Sequence, residues 1–284
     1  MTPIATKIQP YIAPGRRVHL AGIGGVSMNP LARVLHSMGL HVQGSDQSGS
    51  EAVERLRAMG IAVHVGHEPQ DIAGAEFVIR TAAIHDDNPE IAAARAAGIP
   101  VFERAEAWGA IMRQYGNALC IAGTHGKTTT TSMATHVFMA AGKDPTVMIG
   151  GTLPMLHSGY RIGGGDTIIL ESCEYCNSFL HFFPTVAVVL NVEADHLDFF
   201  RDLEDVKSSF RRFAQLVPPE GRIVANAGDP NAMDALRGLP LFTFGFEDGV
   251  DCRAANIVWN QGRPFFYVMV NWEIYTQLSL QVAG

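Results

Sequence analysis

The stretch IAGTHGKTTT, residues 121–130, lies between an apolar run and a helical pattern, and it decides the fold of the second half of the chain. The run from Ala118 to Ala122 predicts a buried strand, and the pattern from Thr128 to Ala141 predicts a helix. A strand, a glycine-rich turn and Gly-Lys-Thr at the start of a helix are typical of a phosphate-binding loop, because backbone N–H groups and the helix N-terminus then face the phosphates. In this interpretation Lys127 supplies positive charge for the outer phosphates, and Thr128 supplies a hydroxyl for Mg²⁺.

This loop is two residues shorter than the general pattern, which has a glycine where Ile121 stands; the first glycine here is Gly123. The alternative is a glycine-rich turn that carries a surface lysine. The buried strand before the loop, the four consecutive threonines that begin at Thr128 and the helix after it favour the phosphate-binding loop.

Length and composition indicate a globular protein with a substantial core. The 284 residues predict two domains at roughly 150 residues each. A net charge of −7 argues against nucleic acid or an anionic membrane as a partner. No stretch approaches the roughly 20 apolar residues of a membrane span, and the first 17 residues lack the apolar segment of a signal peptide, so we expect a cytoplasmic protein.

The four cysteines allow two interpretations. Cys173 and Cys176 have the spacing of a zinc-binding pair, but no second pair accompanies them. Cys120 lies in an apolar run, where a small buried thiol is expected. Disulfides are not expected in a cytoplasmic protein.

The first hundred residues predict a Rossmann-like parallel sheet. Arg17–Ala21 reads as a strand, residues 22–28 as a tight turn that opens a helix, and His41–Asp46 as a second strand. The match to the dinucleotide-binding pattern is partial, because Ser27 stands where its third glycine belongs. Asp46 lies near the offset expected for a ribose-binding acid, and the alternative is a solvated loop acid. Strands and helices then alternate to Arg113, which predicts a first α/β domain of residues 1–115.

Polar side chains follow two further apolar strands in the second predicted domain, residues 116–284. Glu171 follows the strand 166–170, and Asp195 and His196 come soon after the strand 185–190. If these strands neighbour the loop strand, the polar side chains and the loop share one sheet edge, where Thr128 and a carboxylate could hold Mg²⁺ and a histidine a second ion. Glu171 could instead be a strand-end acid facing water, and His196 an ordinary loop histidine. Three β-strands between residues 252 and 282 predict a small antiparallel addition to the parallel sheet.

Together these segments resemble the Mur ligases, the ATP-dependent amino-acid ligases of peptidoglycan precursor synthesis. That family uses the same shortened loop. The resemblance runs from about residue 15 to the end. Within the family, the chain is most similar to members that join L-alanine to UDP-N-acetylmuramate. The further matching segments are HLAGIGGVSM at 19–28, GSD at 44–46, DNPE at 87–90, RAE at 104–106 and NVEADHLD at 191–198.

The resemblance implies roles for individual residues. The Rossmann-like domain would bind UDP-N-acetylmuramate through Gly22, Ile23, Gly24, Gly25, Ser27, Met28, Asp46 and His67. The loop would bind ATP through Gly123, Thr124, His125, Gly126, Lys127, Thr128 and Thr129. Mg²⁺ would be held by Thr128, Glu171 and His196, and the catalytic residues would be Lys127, Glu171 and His196. The acidic stretch that the family has after Glu171 reads here as SCEYC, so Glu174 is a second candidate for the metal.

The resemblance also implies a third, C-terminal domain that holds most of the L-alanine site and is expected to be absent from this chain. We therefore expect a shortened central domain and little or no ligase activity from the chain alone. The expected complete reaction is phosphorylation of the lactyl carboxylate by ATP, followed by attack of L-alanine on the acyl phosphate. Two alternatives stay open: a ligase that attaches a recycled murein peptide to the same UDP-sugar, and a non-catalytic nucleotide- or UDP-sugar-binding module. The Gly22–Gly25 turn favours the L-alanine ligase.

Overall fold

The computed structural model describes residues 5–280 as an α/β protein, which confirms the predicted fold class. The end of the predicted last strand, residues 281 and 282, lies outside the described part. Hydrogen bonding groups the described strands into two sheets.

The first sheet is parallel, with the order β3-β2-β1-β4-β5. The central strand, β1, is buried at all positions but its first, as a strand covered on both faces should be. The strands are β1 (Arg17–Ala21), β2 (His41–Asp46), β3 (Ala62–Val65), β4 (Phe77–Arg80) and β5 (Val101–Glu103).

The second sheet has the order β15-β14-β13-β12-β11-β10-β6-β9-β7-β8. The strand before the phosphate loop, β6, therefore lies between β10 and β9, as the predicted shared edge requires. The pairs β13–β14 and β14–β15 are antiparallel, which confirms the predicted addition to the sheet. The strands are β6 (Asn117–Ala122), β7 (Thr146–Leu153), β8 (Ser158–Arg161), β9 (Thr167–Glu171), β10 (Val186–Val189), β11 (Arg222–Asn226), β12 (Leu241–Gly245), β13 (Cys252–Asn260), β14 (Arg263–Val270) and β15 (Glu273–Ser279).

Several helices begin where a polar side chain caps the first turn. Asn88 accepts a hydrogen bond from the backbone of Glu90 at 2.9 Å, and Asp202 accepts one from Asp205 at 2.9 Å. The α-helices are α1 (Ala5–Ile8), α2 (Met28–Ser37), α3 (Glu51–Ala58), α4 (Pro89–Ala96), α5 (Arg104–Met112), α6 (Lys127–Ala140), α7 (Leu203–Ala214) and α8 (Pro230–Ala235). The 3₁₀ segments are η1 (Gln9–Tyr11), η2 (Pro69–Ile72), η3 (Pro154–Leu156) and η4 (Tyr175–His181).

Contacts between Cα atoms divide the described residues into two compact units. The first runs to Gly116 and also takes in Val137–Ile168 and His181–Phe183, while the second comprises Asn117–His136, Ile169–Leu180 and the residues from Pro184 onward. The units interleave along the chain, so the predicted division between residues 115 and 116 stays a prediction.

Each unit has its own buried core. In the first unit, apolar side chains of β1, β4, α4 and η2 form one cluster: Ala21, Ile72, Val78, Ile91 and Ala94. In the second unit, Phe179 stacks on Phe213 with ring centroids 4.6 Å apart and meets Phe210 edge-on at 5.3 Å. These aromatic contacts join η4 to α7.

Gly44, in the middle of β2, provides the space that the turn after β1 occupies. A Cβ atom at this position would lie 2.4 Å from the backbone oxygen of Leu20 and 2.8 Å from Cδ1 of Ile23. The Ile23 side chain is fully buried, so it cannot move aside without disturbing the core.

We expect Gly44→Ala to lower the free energy of unfolding by about 1–3 kcal/mol, because the added methyl group overpacks the sheet. Urea denaturation measures the change. Gly49→Ala is the matched control: its Cβ would meet only Val65 at an ordinary 3.8 Å. We expect this control to stay within about 0.5 kcal/mol of the unaltered chain. Equal stabilities for the two variants would show that β2 does not need the glycine.

Candidate functional site

The candidate phosphate-binding loop, residues 123–126, joins β6 to α6 and depends on two glycines. Gly123 has a φ of 154° and Gly126 a φ of 79°, backbone conformations that residues with a Cβ rarely adopt. A Cβ on Gly123 would also lie 2.9 Å from the Cβ of Leu190. Both glycines are therefore required by the backbone path of the loop.

The segment that follows the neighbouring strand β10 holds this loop through hydrogen bonds. Asn191 accepts from the His125 backbone N–H at 2.7 Å through its side-chain oxygen, and its side-chain amide donates to the His125 carbonyl at 3.1 Å. Its own carbonyl accepts from the Thr124 backbone at 3.2 Å. The Thr124 hydroxyl in turn accepts from the Glu193 backbone at 2.9 Å. The segment after β10 thus fixes the loop, a role for Asn191 and Glu193 that the sequence alone did not indicate.

The Lys127 side chain folds back over the loop that precedes it. Its Nζ donates to the carbonyls of Gly123 and Thr124 and lies 3.1 Å from a carboxylate oxygen of Glu174. The Glu174 side chain is only 1% exposed and that of Lys127 14%, so this ion pair is largely shielded from water. A buried carboxylate needs such a partner, because desolvation without one is costly.

Two carboxylates face the start of α6. Glu171, the last residue of β9, accepts a hydrogen bond from the Thr128 hydroxyl at 3.0 Å. Glu174 instead forms a compact group with Asp195 and His196, whose ligand-type atoms all lie within 4.8 Å of one another. The expected set of Thr128, Glu171 and His196 is therefore split: Thr128 contacts Glu171, whereas His196 lies 3.9 Å from Glu174.

The donor atoms of both groups suit a hard divalent cation. Mg²⁺ prefers carboxylate and hydroxyl oxygens and keeps several waters, which Thr128, Glu171, Glu174 and Asp195 would permit. No cysteine belongs to the cluster of metal-ligand side chains found among residues 5–280. Cys120 lies in β6, and burial raises the pKa of its thiol to about 12, so it is the inert buried thiol that the sequence predicts.

His196 has a strained backbone conformation, and its side chain packs against an aromatic ring. Its φ is 53°, and its N–H donates to the side chain of Asp195 at 2.7 Å. The Tyr175 ring lies against the imidazole with centroids 4.7 Å apart. The Tyr175 hydroxyl donates to Asp198 at 2.9 Å, which raises the pKa of the tyrosine to about 12. Tyr175 and Asp198 thus fix the ring of His196.

The backbone after Glu174 is also strained. Cys176 and Asn177 have successive φ values of 53° and 56°, in the left-handed region that usually requires glycine. The side-chain oxygen of Asn177 accepts hydrogen bonds from Ser209 and Arg212 of α7. These contacts hold the strained backbone conformation in place. Strain of this kind concentrates at functional sites.

The turn after β1 is the second candidate site. The N–H groups of Gly22 and Ile23 both donate to the Ser45 carbonyl at 2.9 Å, and that of Gly24 donates to the carboxylate of Asp46 at 2.8 Å. Asp46 thus holds the turn itself. The side chains of Ile23 and Met28 are buried in the core, so of these two residues only the backbone can face a ligand.

A cavity of about 400 Å³ adjoins this turn within the first unit. Gly24 and Val26 line it from the turn, and Arg33 and Arg55 line it from α2 and α3. The Arg33 guanidinium lies over the ring of Tyr160 at 5.5 Å. Two arginine side chains in its lining make the cavity suitable for an anion.

His67, the remaining predicted ligand residue, contacts Ser45 and Glu90. Its Nδ1 lies 3.1 Å from the Ser45 hydroxyl and 3.1 Å from the carboxylate of Glu90. The sequence did not single out Glu90 as a site residue; the available signal was its place one residue after Pro89, in the first turn of a capped helix.

The helices in the described part of the chain are all too short or too polar to cross a membrane.

Comparison with known proteins gives the same family for both halves of the chain. A sequence profile described as the catalytic domain of the Mur ligase family matches residues 17–116, and a profile described as the Mur ligase middle domain matches residues 121–284. The UDP-N-acetylmuramate–L-alanine ligase of Clostridium novyi (strain NT) is 42% identical over 95% of this chain and 59% of its own length. The ligase of the same name from Clostridium perfringens (strain 13 / Type A) is 43% identical over the same shares. The chain thus spans about three fifths of the length of these curated relatives.

Two solved ligase structures match most of this chain. The UDP-N-acetylmuramate–alanine ligase of Thermotoga maritima matches with a TM-score of 0.79 and 30% identity, over 94% of this chain and 61% of that one. The UDP-N-acetylmuramate:L-alanyl-gamma-D-glutamyl-meso-diaminopimelate ligase of Neisseria meningitides matches with a TM-score of 0.85 and 27% identity, over 95% and 89% respectively.

Proposed function

The chain belongs to the Mur ligase family, and we propose that it forms the UDP-N-acetylmuramate-binding and ATP-binding parts of a ligase that joins L-alanine to that sugar nucleotide. The observation that carries the proposal is the convergence of Lys127, Thr128, Glu171, Glu174 and His196 on one edge of the second sheet. The relatives named as L-alanine ligases, at 42% and 43% identity, support this choice of amine.

Residues 116–284 would bind ATP in this proposal. Within the loop from Gly123 to Thr129, the backbone N–H groups from Gly126 onward, in the first turn of α6, would hold the phosphates, and Lys127 would neutralise their outer charge. Bound Mg²⁺ would neutralise developing charge on the transferred phosphoryl group. Thr128 and Glu171 would hold one ion, and Glu174, Asp195 and His196 a second.

Residues 1–115 would bind UDP-N-acetylmuramate at the turn between Gly22 and Gly25. Its diphosphate would lie against the turn and the N-terminal end of α2, while Asp46 keeps the turn in shape. The lactyl carboxylate of the sugar would take the γ-phosphoryl group of ATP, and the resulting acyl phosphate would be attacked by L-alanine. Positioning and charge neutralisation account for most of the catalysis in such a transfer.

The test is calorimetric titration of the chain with UDP-N-acetylmuramate and, separately, with ATP and Mg²⁺. We expect one site for each ligand and weaker binding of UDP-N-acetylglucosamine, because that compound lacks the lactyl carboxylate. A phosphate-release assay with both substrates and L-alanine measures any turnover, and we expect little or none. A chain that binds neither ligand would refute the proposal.

A second candidate is a ligase that attaches a murein peptide to the same UDP-sugar. The match to the Neisseria meningitides enzyme, which spans most of that chain, favours it. The two candidates share the sugar nucleotide and differ in the amine. Phosphate release that depends on L-alanyl-γ-D-glutamyl-meso-diaminopimelate rather than on L-alanine would select the second.

A further inference from the structure

Four polar side chains of the first unit meet beside the proposed sugar-nucleotide turn, and we call them the Glu90 cluster: His19, Ser45, His67 and Glu90. The side chains of His19, Ser45 and Glu90 are completely buried, whereas that of His67 is 19% exposed. Buried titratable groups are uncommon and costly unless they are paired, so this cluster calls for a role.

Glu90 is the centre of the cluster. Its Oε2 accepts a hydrogen bond from the Ser45 hydroxyl at 2.8 Å and lies 3.1 Å from Nδ1 of His67. Its Oε1 lies 3.4 Å from Nε2 of His19, within ion-pair distance. Burial raises the pKa of Glu90, but His19, Ser45 and His67 together outweigh burial and leave that pKa below its ordinary value. Glu90 is therefore ionised at neutral pH.

An ionised carboxylate can only accept hydrogen bonds, and this fixes the tautomer of His67. The proton must lie on Nδ1, the nitrogen that faces Glu90. In the neutral ring the other nitrogen, Nε2, is then an acceptor. An acceptor suits a hydroxyl or imide N–H group of a ligand, not a phosphate oxygen.

The cluster is also joined to the turn through Ser45. The hydroxyl of Ser45 bonds to Glu90, and its carbonyl accepts the N–H groups of Gly22 and Ile23. Gly66, the residue before His67, donates its N–H to the Asp46 carbonyl at 2.8 Å. His67 therefore lies near the end of β2, the strand whose last residue, Asp46, holds the turn.

We infer that Glu90 is a positioning residue for the sugar nucleotide: it holds His67 as the Nδ1–H tautomer, so that Nε2 accepts a hydrogen bond from a hydroxyl or imide group of the uridine or sugar, and it holds Ser45 against the turn. This inference rests on the proposed function. It assigns Glu90 and Ser45 to ligand binding although neither needs to touch the ligand.

The test compares Glu90→Gln with the unaltered chain. We expect the affinity for UDP-N-acetylmuramate to fall about 10-fold or more, because a neutral amide no longer enforces the tautomer. We expect the affinity for ATP and Mg²⁺ to stay unchanged. ¹⁵N NMR of histidine-labelled chain should show the Nδ1–H form of His67 in the unaltered chain and a shift toward Nε2–H in the variant, a change that a purely structural role would not produce.

Glu106→Gln is the matched control, since Glu106 is also a buried acid in the first turn of a helix, α5. It should leave both the sugar-nucleotide affinity and the His67 signals unchanged. If Glu90→Gln does not fold, His67→Gln and His67→Asn replace it. A glutamine amide reaches the position of Nε2 and an asparagine amide that of Nδ1, so we expect the glutamine variant to bind more tightly.

Two negative results have different meanings. An unaltered chain that binds no UDP-N-acetylmuramate would refute the proposed function and the inference with it. Binding by the unaltered chain with equal affinity in Glu90→Gln, or equal affinities of His67→Gln and His67→Asn, would refute the inference alone.

Discussion

Lys127→Met is expected to lower the affinity of the chain for ATP by about 100-fold or more. Charge-assisted hydrogen bonds contribute roughly 1.5–3 kcal/mol each, and a loss of about 3 kcal/mol corresponds to about 100-fold. The Nζ of Lys127 already lies within the loop, 3.1 Å from the Thr124 carbonyl, so it needs little movement to reach a bound phosphate. Calorimetric titration with ATP measures the loss.

The control must separate a lost phosphate contact from a damaged loop. Removing Lys127 leaves Glu174 buried without its cation, which typically costs about 3–5 kcal/mol of stability. We therefore expect a lower urea midpoint but unchanged binding of UDP-N-acetylmuramate, which shows that the rest of the chain is folded. Lys143→Met removes the same charge from an exposed position after α6 and should leave ATP binding intact. Normal ATP affinity in Lys127→Met would refute the phosphate-loop assignment.

Glu174→Gln is expected to change ATP binding in opposite directions with and without Mg²⁺. Without metal, the substitution frees Lys127 from its ion pair and removes a negative charge beside the phosphates, so the affinity should rise. With Mg²⁺, the substitution removes a proposed metal ligand, and the affinity should fall by at least about 10-fold. Titrations in excess EDTA and in millimolar Mg²⁺ measure the two effects.

Glu171→Gln is the comparison variant, because Glu171 bonds the Thr128 hydroxyl at the other candidate position. A larger Mg²⁺-dependent loss in Glu171→Gln than in Glu174→Gln would make Glu171 the main ligand. A Glu174→Gln chain that gains affinity in EDTA and keeps full affinity in Mg²⁺ would limit Glu174 to its role as the partner of Lys127.

The sequence predicts the elements that depend on local patterns. The strand–loop–helix unit around Lys127 was predicted from its apolar run and its glycines, and the structure confirms the strand and the helix. The strand order confirms that β6 lies between β9 and β10. That proximity rests on a general rule of parallel sheets, which needs no knowledge of side-chain contacts.

The remaining features depend on tertiary contacts or on single residues that an apolar pattern does not include. The hairpin β7–β8 was not predicted, because two consecutive glycines, Gly150 and Gly151, interrupt the strand pattern. The amphipathic pattern of residues 206–216 predicts a helix that starts three residues after the observed start of α7 at Leu203, because the pattern does not include the cap that Asp202 supplies. The grouping of His196 with Glu174 and not with Glu171 is a contact between segments distant in sequence, which no local residue pattern indicates.

The ion pair between Lys127 and Glu174 would make cation and nucleotide binding cooperative at the proposed ATP site. Phosphates must compete with Glu174 for Lys127, and a divalent cation must compete with Lys127 for Glu174. When both ligands bind, the phosphates pair with Lys127 and the cation pairs with Glu174. Each ligand should therefore raise the affinity for the other. Thermodynamic reciprocity requires the two enhancements to be equal. Such a loop should bind nucleotide weakly in the absence of metal, because nucleotide alone would leave the buried Glu174 carboxylate without a partner.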